Sequence, residues 1–350
     1  CSVPRKPSPT TPYEQARPAN TPASGPVITT QQSGTTRRLQ AVSLVNANVV
    51  WASGLGGAFV VTMNGGKTWR AGVVPGADSL EFRDVEGISA SVAYLLAAGT
   101  GSASRIYQTT DGGRSWTLQF QNRIPEAFYD CFGFWTPARG IAFSDAVGSR
   151  FLLMGTDDGI TWKEIGNRMP EPLAGEAAFA ASGTCVTTLG ERHAWIATGG
   201  AAVARVLATA DGGNRWQVSA TPLTSGQSAG GFAVAFRDSS NGIVAGGSLD
   251  TANTRPPNRV AVTADGGKRW RLVSPPPFQG AVFGLSYVPG AGKQTVVVTG
   301  PGGAAWSSDE GRSWKEIAGV KDYWAVAFTG LVGWLVGTEG RILKATFQND

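Results

Sequence analysis

Three aspartates, Asp84, Asp130 and Asp322, are the carboxylates that could do acid–base chemistry together in this chain. The strand pattern described below places each on a predicted innermost strand, where it could line a central channel. Paired carboxylates are the general requirement for glycoside hydrolysis, in which one acts as the acid and the other as nucleophile or base. Polar residues on channel-lining strands are also common without catalysis. Hydrolysis is therefore an alternative interpretation and not the main one.

Other catalytic and cofactor chemistry finds little support in the composition. The one histidine, His193, falls in a predicted strand connection, and a single histidine cannot build a His-based metal cluster. No Cys-x-x-Cys-His motif is present for c-type haem, and the glycine-rich strings lack the Lys-Ser/Thr ending of a phosphate-binding loop. We predict no metal, no cofactor and no enzyme activity.

The positive charge of the chain is modest and dispersed. The formal net charge is +5 over 350 residues. A basic surface favours anionic lipid or an acidic protein face, whereas the lack of basic runs interleaved with aromatic residues argues against nucleic acid. The arginines that we predict to lie in loops are scattered, at Arg105, Arg123, Arg139, Arg150, Arg168, Arg192, Arg237, Arg255 and Arg259.

The elements that would position these residues are set by six copies of a motif whose commonest form is Thr-x-Asp-Gly-Gly-x-x-Trp. The tryptophans of successive copies are 47, 46, 54, 54 and 44 residues apart. A period of about 40 to 55 residues built on strands and glycine turns predicts a β-propeller. The predicted Asp or Asn and the Trp of the six copies are Asn64 and Trp69, Asp111 and Trp116, Asp157 and Trp162, Asp211 and Trp216, Asp265 and Trp270, and Asp309 and Trp314.

Each copy of the motif suits a hairpin near the outside of a propeller blade. The Thr or Ser ends a strand, the Asp accepts hydrogen bonds from backbone N–H groups of its own turn, and the Gly supplies a positive φ. The Trp opens the next strand and packs between neighbouring blades. We therefore predict that the motif is structural and not catalytic.

The same pattern divides the chain into blades of four strands. In the second blade we predict strands at 82–88, 92–99, 105–110 and 116–120, from innermost to outermost. A seventh blade begins at Asp322 with only three strands, and an open ring would leave an unpaired edge. Residues 27–32 alternate suitably and can supply the missing outer strand. We predict an all-β, seven-bladed propeller over residues 27–350, closed by this N-terminal strand.

Residues 1–26 differ from the rest of the chain. They hold seven prolines with several Ser, Thr and Ala, a composition that predicts an extended tether. Cys1 at its head resembles the first residue of a mature bacterial lipoprotein, which carries lipid; an arbitrary start of the sequence is the alternative. The lipoprotein interpretation implies an extracytoplasmic, membrane-anchored protein.

Cys131 and Cys185 fall at equivalent positions of the innermost strands of the third and fourth predicted blades. An oxidising compartment would permit a disulfide between them. The alternative is two small buried apolar residues, because neighbouring inner strands diverge and a bridge requires Cα atoms within about 7 Å. The sequence leaves both possibilities open.

The repeated motif resembles the Asp-box of the BNR and sialidase-like propellers. Sialidases carry an Arg-Ile-Pro motif before the first box, three arginines for the substrate carboxylate and a Tyr/Glu nucleophile pair. Here Arg123–Pro125 follows the second box, and Tyr129, Tyr287 and Tyr323 have no Glu partner that the sequence can assign. The alternative function is thus a sialidase-like glycoside hydrolase or a glycan-binding surface lipoprotein.

A further resemblance covers residues 37–347. The boxes and the inner-strand segments Phe128–Phe134 and Gly140–Asp145 are similar to the photosystem II stability/assembly factor family. That family consists of seven-bladed, non-catalytic propellers on the lumenal or periplasmic side of photosynthetic membranes. The resemblance implies a scaffold or assembly factor for an integral membrane complex, such as a photosynthetic one, and it transfers no binding residue to this chain.

Overall fold

The computed structural model describes residues 24–348, which form seven four-stranded antiparallel sheets. In six sheets the four strands follow one another along the chain. The first strand of every sheet contacts the first strands of the sheets on both sides, so the seven sheets form a closed ring of blades. The predicted all-β, seven-bladed propeller is confirmed.

Blades 1 to 3 occupy the first half of the ring. Their strands are β2 (Leu39–Leu44), β3 (Val50–Gly54), β4 (Ala58–Thr62) and β5 (Arg70–Val73); β6 (Phe82–Gly87), β7 (Ala93–Ala97), β8 (Arg105–Thr109) and β9 (Thr117–Gln121); and β10 (Tyr129–Phe134), β11 (Gly140–Val147), β12 (Arg150–Thr156) and β13 (Lys163–Glu164).

Blades 4 to 6 repeat the same order. Their strands are β14 (Val186–Leu189), β15 (His193–Ala197), β16 (Arg205–Thr209) and β17 (Gln217–Ala220); β18 (Ala229–Phe236), β19 (Gly242–Ser248), β20 (Val260–Thr263) and β21 (Arg271–Leu272); and β22 (Gly284–Tyr287), β23 (Val296–Gly300), β24 (Gly303–Ser307) and β25 (Lys315–Glu316).

Blade 7 is built from both ends of the described chain. β26 (Tyr323–Thr329), β27 (Val332–Gly337) and β28 (Ile342–Thr346) supply three strands, and β1 (Val27–Gln31) is the fourth. β1 runs antiparallel to β28, with the first residue of β1 opposite the last of β28. The predicted closure by an N-terminal strand is confirmed.

One glutamine joins the closing strand to both blades beside it. The Gln31 Oε1 accepts a hydrogen bond from the indole of Trp334 in blade 7 at 3.0 Å and from the indole of Trp69 in blade 1 at 2.9 Å. The β1 strand therefore completes the sheet of blade 7 and also contributes to the contact between blades 7 and 1.

Apolar clusters fill the seven interfaces between blades. At the closing interface Trp334, Val336 and Ile342 of blade 7 pack with Leu39 and Val50 of blade 1, and all five are 0% exposed. Comparable clusters lie at the other six interfaces. Each blade thus buries both faces against its neighbours, as the modular core of a repeat protein requires.

The antiparallel meander gives the ring two different edges. At one edge, which we call the box edge, the turn of each Asp-box meets the turn between the first two strands of its own blade, as when Gly112 N–H donates to Ser91 O at 2.8 Å. At the other edge the chain crosses from one blade to the next and the third strands begin; we call this the connection edge.

Helical structure among the described residues is limited to single turns. Four 3-10 turns are present, and no helix in residues 24–348 is long and apolar enough to cross a membrane. The turns are Gly101–Ala103, Gly166–Arg168, Leu249–Thr251 and Thr338–Gly340.

Removing the closing strand tests the closure. Deletion of residues 1–36 exposes the edge of β28 and removes Gln31, so we expect a clear fall in the urea midpoint or the loss of cooperative unfolding. Deletion of residues 1–22 is the control and should leave the midpoint unchanged. Equal midpoints for the two deletions would contradict the closure.

Candidate functional site

The longest connection between blades marks the candidate site. Residues 165–185 join β13 to β14, whereas every other connection between blades has at most 11 residues; we call this segment the blade 4 connection. Its Ala180 O accepts a hydrogen bond from Gln40 Nε2 of blade 1 at 3.1 Å, and its Ser182 Oγ donates to Phe283 O of blade 6 at 2.6 Å. The blade 4 connection therefore lies across the channel at the connection edge.

Aromatic side chains continue this cover around the ring. Phe179 of the blade 4 connection lies 4.2 Å from Phe232 between ring centroids, and Phe232 lies 5.7 Å from Phe283. Trp324 follows at 5.9 Å from Phe283, with the guanidinium of Arg38 stacked 4.9 Å above its ring. The channel is bordered at this edge by apolar groups rather than by free carboxylates.

A buried ion pair fixes the outer part of the blade 4 connection. The Glu176 side chain is 0% exposed and accepts two hydrogen bonds from the guanidinium of Arg205, with Arg205 Nε 2.9 Å from Oε1. The same carboxylate accepts the Thr198 hydroxyl at 2.6 Å and the Leu173 N–H at 2.8 Å. Removing one partner of such a pair costs about 3–5 kcal/mol, so the arrangement holds the backbone at Leu173 in a defined place.

Three apolar side chains are exposed on loops of the connection edge. Leu173 of the blade 4 connection is 38% exposed, Val203 between β15 and β16 is 38% exposed, and Leu249 after β19 is 50% exposed. All three lie on loops of the connection edge in blades 4 and 5, and we call them the connection-edge patch. Grouped exposed apolar residues on a rigid frame are typical of protein contact sites.

A disulfide anchors the inner end of the blade 4 connection. Cys131 of β10 is joined to Cys185, their Cα atoms are 6.0 Å apart, and both residues are 0% exposed. Cys185 directly precedes β14 instead of lying on the innermost strand as predicted. A bridge across 54 residues of chain stabilises the fold by roughly 2–4 kcal/mol.

Two aspartates of blade 3 meet under the blade 4 connection. Asp130 occupies a register shift in β10 and Asp145 occupies one in β11, which brings the two carboxyl groups close enough to affect each other's ionisation. The Asp145 Oδ1 also accepts the Ala178 N–H of the blade 4 connection at 2.8 Å. Burial raises the pKa of Asp130 well above its usual range and that of Asp145 to about 6. At a pH where an ordinary aspartate is ionised, the pair therefore keeps a proton on one of its two carboxyl groups.

The structure places the three carboxylates of the hydrolase alternative in different surroundings rather than together in an open channel. Asp84 is buried and its Oδ2 accepts the Phe132 N–H of blade 3 at 2.9 Å. Asp130 is also buried and is paired with Asp145. Asp322 precedes β26 with φ +62°, is exposed, and lies 3.7 Å from the guanidinium of Arg341. Burial raises the pKa of Asp84 well above its usual range, which also opposes a role as an ionised base.

A tyrosine–glutamate pair exists that the sequence could not assign. The Tyr287 hydroxyl donates to Glu310 Oε1 at 3.0 Å, and Arg237 Nε of blade 5 donates to the same oxygen at 2.6 Å. Burial and the Glu310 carboxylate raise the pKa of Tyr287, which opposes its ionisation to a nucleophile. In the described part of the chain Arg237 is the only arginine bonded to this pair. The group fastens blade 5 to blade 6 and does not reproduce a three-arginine sialidase site.

Four basic residues lie elsewhere than predicted, and two of them, Arg105 and Arg150, begin the strands β8 and β12 instead of lying in loops. Arg259 is 0% exposed rather than in a solvated loop, its guanidinium donates to Phe278 O at 3.0 Å and Pro276 O at 2.6 Å, and burial lowers its pKa to about 10. His193 begins β15 and stacks on Trp195 instead of lying in a connection. Residues 24–348 contain no group of three His, Cys, Asp or Glu side chains suited to hold a metal ion.

The Asp-boxes form the turns that the motif predicts. In blade 2 the Thr109 hydroxyl accepts the Gly113 N–H at 2.8 Å, and Asp111 Oδ1 accepts the N–H groups of Arg114 and Ser115 at 2.9 Å. Hydrogen bonds led by that from the Ser115 hydroxyl lower the pKa of Asp111. The tryptophan that follows, Trp116, packs on Phe59 of the preceding blade, 5.1 Å between centroids.

The box of blade 3 corrects one predicted residue. Asp158, and not Asp157, accepts the N–H groups of Ile160 and Thr161 at 2.8 and 2.7 Å. This box is one residue shorter between its Thr and Trp162 than the others, so aligning it on the tryptophan selected the wrong aspartate. Asp157 instead points outward, 3.8 Å from the guanidinium of Arg139.

No protein-family model matches the chain, and no curated protein is similar to it in sequence. Among solved structures, YCF48 bound to D1 peptide is 14% identical with a TM-score of 0.66, covering 94% of this chain and 100% of that one. YCF48 from Cyanidioschyzon merolae is 16% identical with a TM-score of 0.59, covering 91% and 98%. The structure of U3-55K is 9% identical with a TM-score of 0.63, covering 93% and 100%. At these identities the likeness shows a shared propeller fold.

The buried acid pair predicts a specific dependence of stability on pH. The folded state raises the pKa of Asp145 above its unfolded value, so folding favours the protonated form and stability falls as the pH rises from the unfolded pKa to about 6. Asp145→Asn keeps the acceptor for Ala178 and removes the ionisation. It should raise the thermal midpoint relative to wild type at about pH 8, with a smaller gain at about pH 5. Exposed Asp322→Asn is the control; a larger loss for Asp145→Asn at pH 8 than at pH 5 would contradict the prediction.

Proposed function

We propose that this protein is a non-catalytic, extracytoplasmic propeller that binds a membrane protein complex as a scaffold or assembly factor, and that it does so through the connection edge of blades 4 and 5. The observation that carries the proposal is the connection-edge patch of Leu173, Val203 and Leu249, in which the buried Glu176 carboxylate fixes the backbone of Leu173. A protein partner gains by covering these side chains because each removes apolar surface from water.

The rigidity of the patch supports this use. The blade 4 connection is fixed by the ion pair at one end and the Cys131–Cys185 bridge at the other. A surface that is ordered before binding loses little conformational entropy when a partner docks. Two of the carboxylates nearest the channel, Asp84 and Asp130, are meanwhile buried, and Asp84 accepts the Phe132 N–H of the next blade.

The chemistry of the two cysteines supports the proposed compartment. Disulfides persist in oxidising compartments and are rare in the cytosol, so the Cys131–Cys185 bridge favours a periplasmic or comparable location. Lipid attachment at Cys1 remains a prediction, since that residue lies outside the described range of 24–348. Intact-mass analysis of native protein tests it directly.

The class of partner is supported by the structural likeness. One of the similar structures is YCF48 bound to D1 peptide, so a propeller of this shape takes a peptide in at least that case. Together with the sequence resemblance to photosystem II assembly factors, this favours an integral membrane complex, and a photosynthetic one where the host has it. We propose no nucleic-acid partner.

Affinity capture from native membranes tests the proposal. A tagged full-length chain should recover a membrane protein complex, identified by mass spectrometry. The double variant Leu173→Asp/Leu249→Asp places charge in the patch and should reduce recovery about tenfold or more, since a buried unpaired charge in an interface is costly.

A matched control uses apolar residues with similar exposure on outer strands. Leu118 is 43% exposed and Val218 is 41% exposed, and neither lies on the connection edge. Leu118→Asp/Val218→Asp should capture the complex as wild type does. Equal losses for both double variants, or full recovery with the patch variant, would overturn the assignment of this surface.

A further inference from the structure

A set of basic side chains recurs at one position of the Asp-boxes. The two residues after the paired glycines carry a cation in five of the six boxes, and because the boxes all lie at the box edge, these cations share one side of the ring. All are exposed. We call them the box cations: Lys67, Arg114, Arg215, Lys268, Arg269 and Arg312.

The box geometry directs these cations outward. The backbone N–H of Arg114 donates to its box aspartate at 2.9 Å, and the N–H groups of Arg215 and Lys268 do the same at 2.9 and 3.0 Å. The main chain of each of these residues therefore faces the aspartate, and its long side chain points away from the turn. Arg269 forms an ion pair with Asp265 of its own box, at 3.2 Å, and its side chain is still 91% exposed.

The acids of the same edge are mostly hydrogen-bonded within it, although Asp157 has a side chain that is 95% exposed and lies 3.8 Å from the guanidinium of Arg139. Each box aspartate is occupied by N–H groups of its own turn, and Glu310 is held by Arg237 and the Tyr287 hydroxyl. Lys67, Arg114, Arg215, Lys268 and Arg312 form no ion pair with any residue in the described range. The box edge thus presents five exposed cations that no ion pair within the described range neutralises.

The connection edge differs in this respect. Arg205 is paired with Glu176, Arg341 lies near Asp322, and Arg259 is buried among carbonyl groups. Several of its cations are therefore neutralised or removed from solvent by the fold itself. The ring consequently has one edge suited to an apolar protein contact and an opposite edge suited to an anionic surface.

Two exposed apolar side chains stand among the box cations. Met63 is 46% exposed in the box of blade 1 and Ile160 is 57% exposed in the box of blade 3. Exposed cations with interspersed apolar residues are typical of surfaces that lie against lipid headgroups, where the cations meet phosphate and the apolar groups enter the interface. An acidic protein face would satisfy the cations but would leave these two side chains without an apolar partner.

The place where the chain enters the ring agrees with this orientation. In blades 1 to 6 the outer strand directly follows a box, and in blade 7 the outer strand is β1, whose Val27 pairs with the last residue of β28. The proline-rich residues 1–26 therefore join the propeller at the box edge. An attachment made through them would draw the box edge, and not the connection edge, toward a membrane.

We infer that the box edge docks on an anionic lipid surface through the box cations, which leaves the connection-edge patch facing away from the bilayer toward the membrane complex. This inference rests on the proposed function, because it orients the proposed scaffold. Attraction between exposed cations and anionic lipid is screened by salt, so the interaction is expected to be strong at low ionic strength and weak at high ionic strength.

Vesicle sedimentation tests the inference with the full-length chain carrying Cys1→Ala, so that no lipid anchor contributes. The chain should bind vesicles with roughly 30% phosphatidylglycerol, bind pure phosphatidylcholine at least about tenfold more weakly, and be released by about 0.5 M salt. Lys67→Glu/Lys268→Glu/Arg312→Glu should lower binding to the anionic vesicles more than about tenfold.

The control reverses three exposed cations of the connection edge. Arg123→Glu/Arg255→Glu/Lys321→Glu makes the same change in net charge and should keep wild-type vesicle binding. Failure of the wild type to bind anionic vesicles, or equal losses in both triple variants, would overturn the inference.

Capture of the membrane complex from detergent extract separates the two proposals. The box-edge triple variant should still recover the complex, because its connection-edge patch is intact. Loss of the complex together with unchanged vesicle binding would show that the box edge contacts protein, which overturns the lipid assignment. Loss of recovery only in the Leu173→Asp/Leu249→Asp variant supports the proposed function independently of the vesicle result.

Discussion

The pairing of β1 with β28 is the constraint on which the rest of the structure depends. A propeller blade has too small a core to be stable alone, and each blade here gains its stability from apolar clusters shared with both neighbours. Without β1, blade 7 would expose the edge of β28, and Gln31 would no longer accept the indoles of Trp334 and Trp69. Closure thus turns seven weakly stable units into one ring.

A closed ring also separates the functional surfaces. The box edge is nearly repetitive, because every box must form the same turn and direct its cations the same way. The connection edge is free to vary, since the crossing segments need only join neighbouring blades. One of them, the blade 4 connection, is long enough to form a structured cover over the channel. It is held by an ion pair, a disulfide and the Asp130–Asp145 pair. The same fold therefore gives an edge where cations recur in five boxes and an opposite edge with an individual apolar patch.

The fold was predictable because its signal is local and repeated. Regular tryptophan spacing and turn glycines specify strands, blades and the three-strand remnant that requires β1. The box aspartates could be named for the same reason. The exception was Asp158. Its box is one residue shorter than the others, so counting back from Trp162 selected Asp157 instead. The disulfide was left open by the sequence because it depends on a Cα separation, 6.0 Å, that no pattern encodes.

The candidate site was less predictable because it is made from contacts between distant parts of the chain. Tyr287 lies in β22 and Glu310 in the box turn of blade 6, and both meet Arg237 of blade 5; their spacing in the sequence does not predict this contact. The proton kept by the buried aspartate pair depends on two register shifts, which strand alternation alone does not reveal. The exposure of Leu173 follows from the bonds to Glu176, and only the geometry identifies it as a surface residue.

Native-state hydrogen exchange of the full-length protein measures the closure most directly. If β1 pairs with β28, the amides of β28 are as well protected as those of β16, the equivalent third strand of blade 4, and they exchange only with unfolding of the ring. Fast exchange along β28 beside slow exchange along β16 would show that blade 7 opens by itself, and it would contradict the account of a ring closed by its N-terminal strand.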